Sequence, residues 1–103
     1  MRPIYEIARE ISRDWNPPNY AAVPYLHALH DLSSTAESYG YDSGKSIVLY
    51  FLSNANSWRG AVAKRCKAEL KQHAGVKLTK ADKEALHLAS LNRDLGKLGI
   101  APL

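Results

Sequence analysis

Residues 45–55, KSIVLYFLSNA, decide the fold. Ile47-Val48-Leu49-Tyr50-Phe51-Leu52 has the β-branched and aromatic content of a buried strand. Nothing else in the chain reads as a strand to pair with it, and an isolated strand leaves its backbone unsatisfied. Ile47, Phe51, Ala55 and Trp58 also continue at helical spacing. The stretch is therefore read as a buried helix, and the chain as all-α: a single compact domain of four to five short helices.

Outward from this block the pattern stays helical. Upstream, residues 3–15 place Ile4, Ile7, Ala8, Ile11 and Trp15 on one stripe. Asn16-Pro17-Pro18-Asn19 ends that helix, because proline donates no hydrogen bond and disfavours helix in the residue before it. A second helix is expected from about Pro24 to Leu32, with Tyr25, Leu26, Leu29 and Leu32 on one side. Residues 33–44 read as a loop, with Asp42 or Ser43 as the cap of the next helix. Downstream, Ser57 is the expected cap of a helix over 58–74, closed by Gly75. Its apolar side is Trp58, Val62, Cys66 and Leu70. Thr79 and Asp82 have capping-box spacing, with Asp in place of Glu. They start a fifth helix to about Leu95, with Ala81, Ala85, Leu88, Ala89 and Leu95 inward, and Gly96 and Gly99 break the tail.

At 103 residues, one domain with its own core is expected. The single cysteine, Cys66, excludes an intrachain disulfide and fits a reducing compartment. Charges interrupt the N-terminal segment throughout, unlike a secretory signal. The apolar run 47–52 is far short of the roughly 20 residues a membrane span needs. A soluble intracellular protein with no membrane partner is the expectation. The net charge of +4 is unevenly spread. Residues 1–58 carry four basic against six acidic side chains, and residues 59–83 carry eight against two.

Catalytic constellations are poorly supported. Gly40-Tyr41-Asp42-Ser43-Gly44-Lys45-Ser46 is one residue short of a phosphate-binding loop and follows no strand. It reads as a loop and helix cap. His27 and His30 share a helical face, but further metal ligands are missing locally, and His73 and His87 would have to converge. Cys66 reads as a buried thiol. No paired carboxylates or nucleophile–base pair can be placed. The chain is read as non-enzymatic, with no cofactor and no metal.

The basic half carries the binding expectation. Lys64, Lys67 and Lys71 fall in one arc of the fourth helix. With Lys77, Lys80 and Lys83 they form a cationic ridge suited to an acidic surface or to phosphates. Arg59, in the expected first turn, opposes the helix dipole and calls for a carboxylate. Asp14 is the internal candidate, and an external acidic partner is the alternative. Tyr20, Tyr39 and Tyr41 lie in loops, where exposed rings suit a protein interface.

Four stretches, IAREISRDW (7–15), NYAAVPYLHAL (19–29), YGYDSGKSIVLYFLSNANSWRG (39–60) and AKRCKAELK (63–71), resemble a family of small proteins encoded by bacteriophages and prophages. The resemblance covers roughly residues 4–71. It implies a phage origin and a setting in the host cytoplasm, and brings no catalytic residues with it. Residues 76–103 lie outside it and read as an added helix and tail. The expected function is binding of a host protein with an acidic surface, through Arg59, Lys64, Lys67 and Lys71 with Tyr20, Tyr39 and Tyr41, in host takeover or counter-defence. The alternatives are non-specific nucleic-acid binding by the same lysine face, and a structural component that self-associates through the Leu/Ala face of the last helix.

Overall fold

In the computed structural model the backbone is described at residues 1–39 and 42–97, and the side chains there except those of residues 38, 39 and 89–97. The elements run α1 (Ile4–Asp14), a 3-10 turn (Tyr20–Ala22), α2 (Val23–Leu29), a hairpin of two-residue strands β1 (Ser38–Tyr39) and β2 (Asp42–Ser43), α3 (Gly44–Ser53), α4 (Ala61–Ala74) and α5 (Lys80–Lys97). The all-α reading holds. No helix among the described residues is long and apolar enough to cross a membrane.

One face of α1 is sealed completely: Ile4, Ile7, Ala8 and Ile11 have no exposed surface. The orphan amides at its start are met from a distance. Ile4 N donates to Ser33 O and Tyr5 N to Leu32 O. The expected helix to Leu32 gives way after Leu29 to a tight turn, in which Asp31 N donates to Ala28 O and Leu32 N to Leu29 O. The turn leads the Leu32 and Ser33 carbonyls to the amides of α1 and buries Leu32.

The decisive block is helical. Ile47, Val48 and Phe51 enter the core, while Leu49 and Tyr50 face outward. The helix is thus buried on one side only. Tyr50 leans on Tyr25 of α2, ring centroids 5.4 Å apart. Ser43 caps α3, its Oγ accepting from Ser46 N at 3.1 Å. The loop expected over 33–44 contains the β1–β2 ladder, with Ser38 opposite Ser43 and Tyr39 opposite Asp42. It is pinned by Glu37, whose carboxylate accepts from the amides of Ser33 and Ser34 and is thereby held below the usual carboxylate range.

Gly44 is required by proximity. A Cβ there would stand 2.8 Å from Glu37 O and 2.9 Å from Thr35 Cα, both backbone atoms. Its amide also donates to Glu37 O at 2.7 Å. The glycine therefore serves the close approach of α3 to the loop. Gly44→Ala is expected to lower stability by about 2 kcal/mol, the usual cost of an overpacked methyl. A urea titration with an unchanged midpoint would contradict this.

The helix expected over 58–74 starts later, at Ala61. Gly60 has φ 112°, a left-handed value that side chains disfavour, and it interrupts the helical path. Trp58-Arg59-Gly60 is therefore a connecting segment, not a first turn. α4 lies between α1 and α3 on one side and α5 on the other. Ala63, Ala68 and Ala74 let those neighbours approach, and Cys66 and Leu70 complete the buried face. α5 opens with the expected capping box. Asp82 N donates to Thr79 Oγ1 at 3.2 Å, and Thr79 N to Asp82 Oδ2 at 2.9 Å. The helix runs on through Gly96, which was expected to break it. Its inward side is less buried than its spacing suggests: Ala81 is exposed, Ala85 half-buried, and Leu88 49% exposed. The side chains of Ala89 and Leu95, and all of Gly99, lie outside the described residues.

Candidate functional site

Two charged regions lie on α4, and they differ in kind. The first is closed. Arg2 Nε and Nη2 bind the Glu69 carboxylate at 2.9 and 2.6 Å, and Nη2 also donates to Glu10 Oε1 at 2.8 Å. Arg65 makes a two-pronged pair with Glu10 and approaches Glu69 at 4.0 Å. Glu69 is only 8% exposed. The Arg65 guanidinium, with Arg2 second, holds the Glu10 carboxyl down at about 2 against burial. The hydrogen bonds that Arg2 donates to Glu69 and Glu10 keep it firmly protonated.

Glu10, Glu69 and Cys66 could formally hold a metal ion, with ligand atoms all within 4.8 Å. The chemistry opposes it. Each carboxylate oxygen already accepts from a guanidinium, and burial pushes the Cys66 thiol up to about 12, so it remains protonated. The cluster is a structural staple between the N-terminal segment, α1 and α4. None of the four histidines enters it. His30 Nε2 pairs with Ser12 Oγ at 2.9 Å, and burial lowers its proton affinity, His27 and Arg9 adding to the effect. His27 is exposed, and His73 Nε2 meets Arg2 O at 2.6 Å.

The second region is open. A groove of about 930 Å³ runs between the Trp58–Lys67 segment and residues 81–88 of α5. Val62, Ala81, Ala85 and Leu88 line it with apolar surface, and Arg59, Lys64 and Lys67 stand on one wall with Glu84 on the other. Arg59 and Lys64 are exposed and form no ion pair among the described residues. Asp14, the carboxylate expected to answer Arg59, instead accepts from Trp58 Nε1 at 2.8 Å. Arg59 lies just before the Gly60 cap rather than in the first turn of α4, and no carboxylate among the described residues answers it.

The expected lysine ridge is divided. Lys71 leaves it: its Nζ sits 3.1 Å from Asp82 Oδ2, so its charge is answered within the chain. Burial opposes ionisation of that carboxyl, but the Thr79 amide and Lys71 together hold it low. Lys67 is half-committed. It donates to Trp58 O at 2.7 Å and lies 5.8 Å from the Trp58 ring. Burial, then the charges of Lys71 and Arg59, lower its proton affinity. Lys77, Lys80 and Lys83 are exposed. Of the loop aromatics, Tyr20 is 87% exposed in the 3-10 turn; the side chain of Tyr39 and all of Tyr41 lie outside the described residues.

The sequence reading missed the groove. Its only signal was the spacing Ala81, Ala85, Leu88, which reads equally as a core stripe. Comparison of the chain with protein-family models, with curated proteins and with solved structures finds no match.

Proposed function

We propose that this is a non-enzymatic accessory protein of phage type that binds a host protein through an acidic surface, acting in the host cytoplasm in host takeover or counter-defence. The phage setting rests on the resemblance of residues 4–71. The binding reading rests on one observation: Arg59 and Lys64 stand exposed, unanswered among the described residues, on the wall of an apolar groove. Paired cations on this chain, Arg2, Arg65 and Lys71, have carboxylates of their own. Arg59 and Lys64 stand, with Lys67, where apolar surface is also accessible, the mixture typical of a protein interface.

Nucleic acid is the weaker rival. A phosphate-tracking surface needs a continuous row of free cations, and Lys71 and Lys67 interrupt this one. The apolar groove and Glu84 add nothing to it. Arg59→Glu with Lys64→Glu is expected to abolish capture of a partner from host lysate, identified by mass spectrometry, with thermal unfolding unchanged because both sites are exposed. Unchanged capture would sink the proposal. Retardation of random duplex DNA by the native protein at low salt would favour the rival.

A further inference from the structure

We infer that the groove between α4 and α5 receives a single amphipathic, acidic α-helix of the partner, laid with its apolar stripe on Val62, Ala85 and Leu88 and its carboxylates toward Arg59 and Lys64. This rests on the acidic-partner reading above and specifies the element recognised.

Three features select a helix over other peptide forms. An added strand needs an exposed sheet edge, and the strands among the described residues are two residues long. A polyproline segment needs a groove walled by open aromatic rings, whereas Trp58, the one ring at this groove, is 3% exposed. A helix needs a trough between two helices with small residues on its sides, so that a third axis can approach. Gly60, Ala61, Ala81 and Ala85 supply those sides. Ala81, Ala85 and Leu88 recur at i, i+4 and i+7, so the apolar strip along α5 is about 10 Å long, roughly two helical turns. An occupant with the same spacing matches it in length and period.

Charge selects the sign. Arg59, Lys64 and Lys67 line one wall and Glu84 the other. Lys67, partly buried on that wall, meets no carboxylate among the described residues. Carboxylates arriving on that wall would answer Arg59, Lys64 and Lys67 together. Glu84 penalises an acidic residue on the opposite flank and so fixes which way round the helix lies.

The probe is a fluorescein-labelled peptide of about four helical turns, with leucines at i, i+3, i+4 and i+7, glutamates on the flank that meets Arg59 and Lys64, and glutamines on the flank that meets Glu84. A scrambled peptide of the same composition controls for charge alone. The full chain should bind the ordered peptide at least about tenfold more tightly than the scrambled one, with a gain of helical circular dichroism. Leu88→Glu should weaken binding about tenfold while leaving the thermal midpoint unchanged, since Leu88 is half-exposed.

Equal binding of both peptides would overturn the helix inference and leave the acidic-partner reading standing. So would failure of both peptides while host capture still depends on Arg59 and Lys64. Failure of both peptides together with capture indifferent to Arg59→Glu/Lys64→Glu would remove both. A dimer in light scattering that Leu88→Glu dissociates would make the occupant a second copy of this chain and overturn the inference.

Discussion

Trp58→Ala is expected to cost about 4 kcal/mol of unfolding free energy, the middle of the range for a buried aromatic. The indole is 3% exposed and stacks on Trp15 with centroids 5.6 Å apart and planes 10° from parallel. Trp15 in turn meets Phe51 edge-on at 6.3 Å. Removing the ring opens a cavity among α1, α3 and α4 that these rigid neighbours cannot collapse into. The indole N–H contributes less. Trp58→Phe keeps most of the packing and loses only the bond to Asp14, whose carboxylate is exposed and returns to water; about 1 kcal/mol is expected. Urea unfolding of the two variants separates the terms. A loss below about 1 kcal/mol for the alanine variant would show that the stack carries no weight.

The ion cluster makes the second large effect, and it depends on pH. Glu10→Ala strands the Arg65 guanidinium and half the partnership of Arg2, with an expected loss of about 3 kcal/mol at neutral pH. The Glu10 carboxyl is held at about 2 in the folded chain against an ordinary 4.5. Its folded value is depressed, so its contribution is fully present above about 4.5 and is lost as pH falls from there toward about 2. The depression corresponds to an upper bound near 3 kcal/mol; because the cluster is partly solvated, about 2 kcal/mol of acid-dependent stability is the expected figure. Unfolding free energies measured from pH 5 to pH 2.5 should decline in the native chain and decline less in Glu10→Gln. Parallel profiles would mean that the staple does not titrate through Glu10.

The sequence disclosed whatever depends on local periodicity. Ile4, Ile7, Ala8 and Ile11 announce α1. Ser43 announces the start of α3, and the Thr79–Asp82 pair that of α5. It was silent where a distant group decides. Leu32 sits at helical spacing after Leu29, yet α2 ends at Leu29, and the carbonyls of Leu32 and Ser33 meet the amides of Tyr5 and Ile4. Gly60 looked like any helical glycine until its left-handed φ moved the start of α4 to Ala61. Charges were the least legible. Arg65 and Lys64 are adjacent in sequence, but one is locked onto Glu10 and the other faces solvent. Lys71 and Lys67 are one turn apart, and only Lys71 meets a carboxylate. Which cation is answered depends largely on distant acids: Glu69 lies 67 positions from Arg2 and Glu10 lies 55 from Arg65, a relation that no local window contains.

The hydrophobic cluster that unites α1 to α4 has no α5 member among the described residues. Of the helices, α4 alone shares an extensive contact with α5. The two halves of the molecule therefore answer to different constraints as sequences diverge. A change at Ile7 or Phe51 is judged by folding itself. A change at Ala81, Glu84 or Leu88 leaves that core whole; if the proposed docking holds, such a change is met by the groove's occupant, and α5 is then the part of this chain free to follow a moving target.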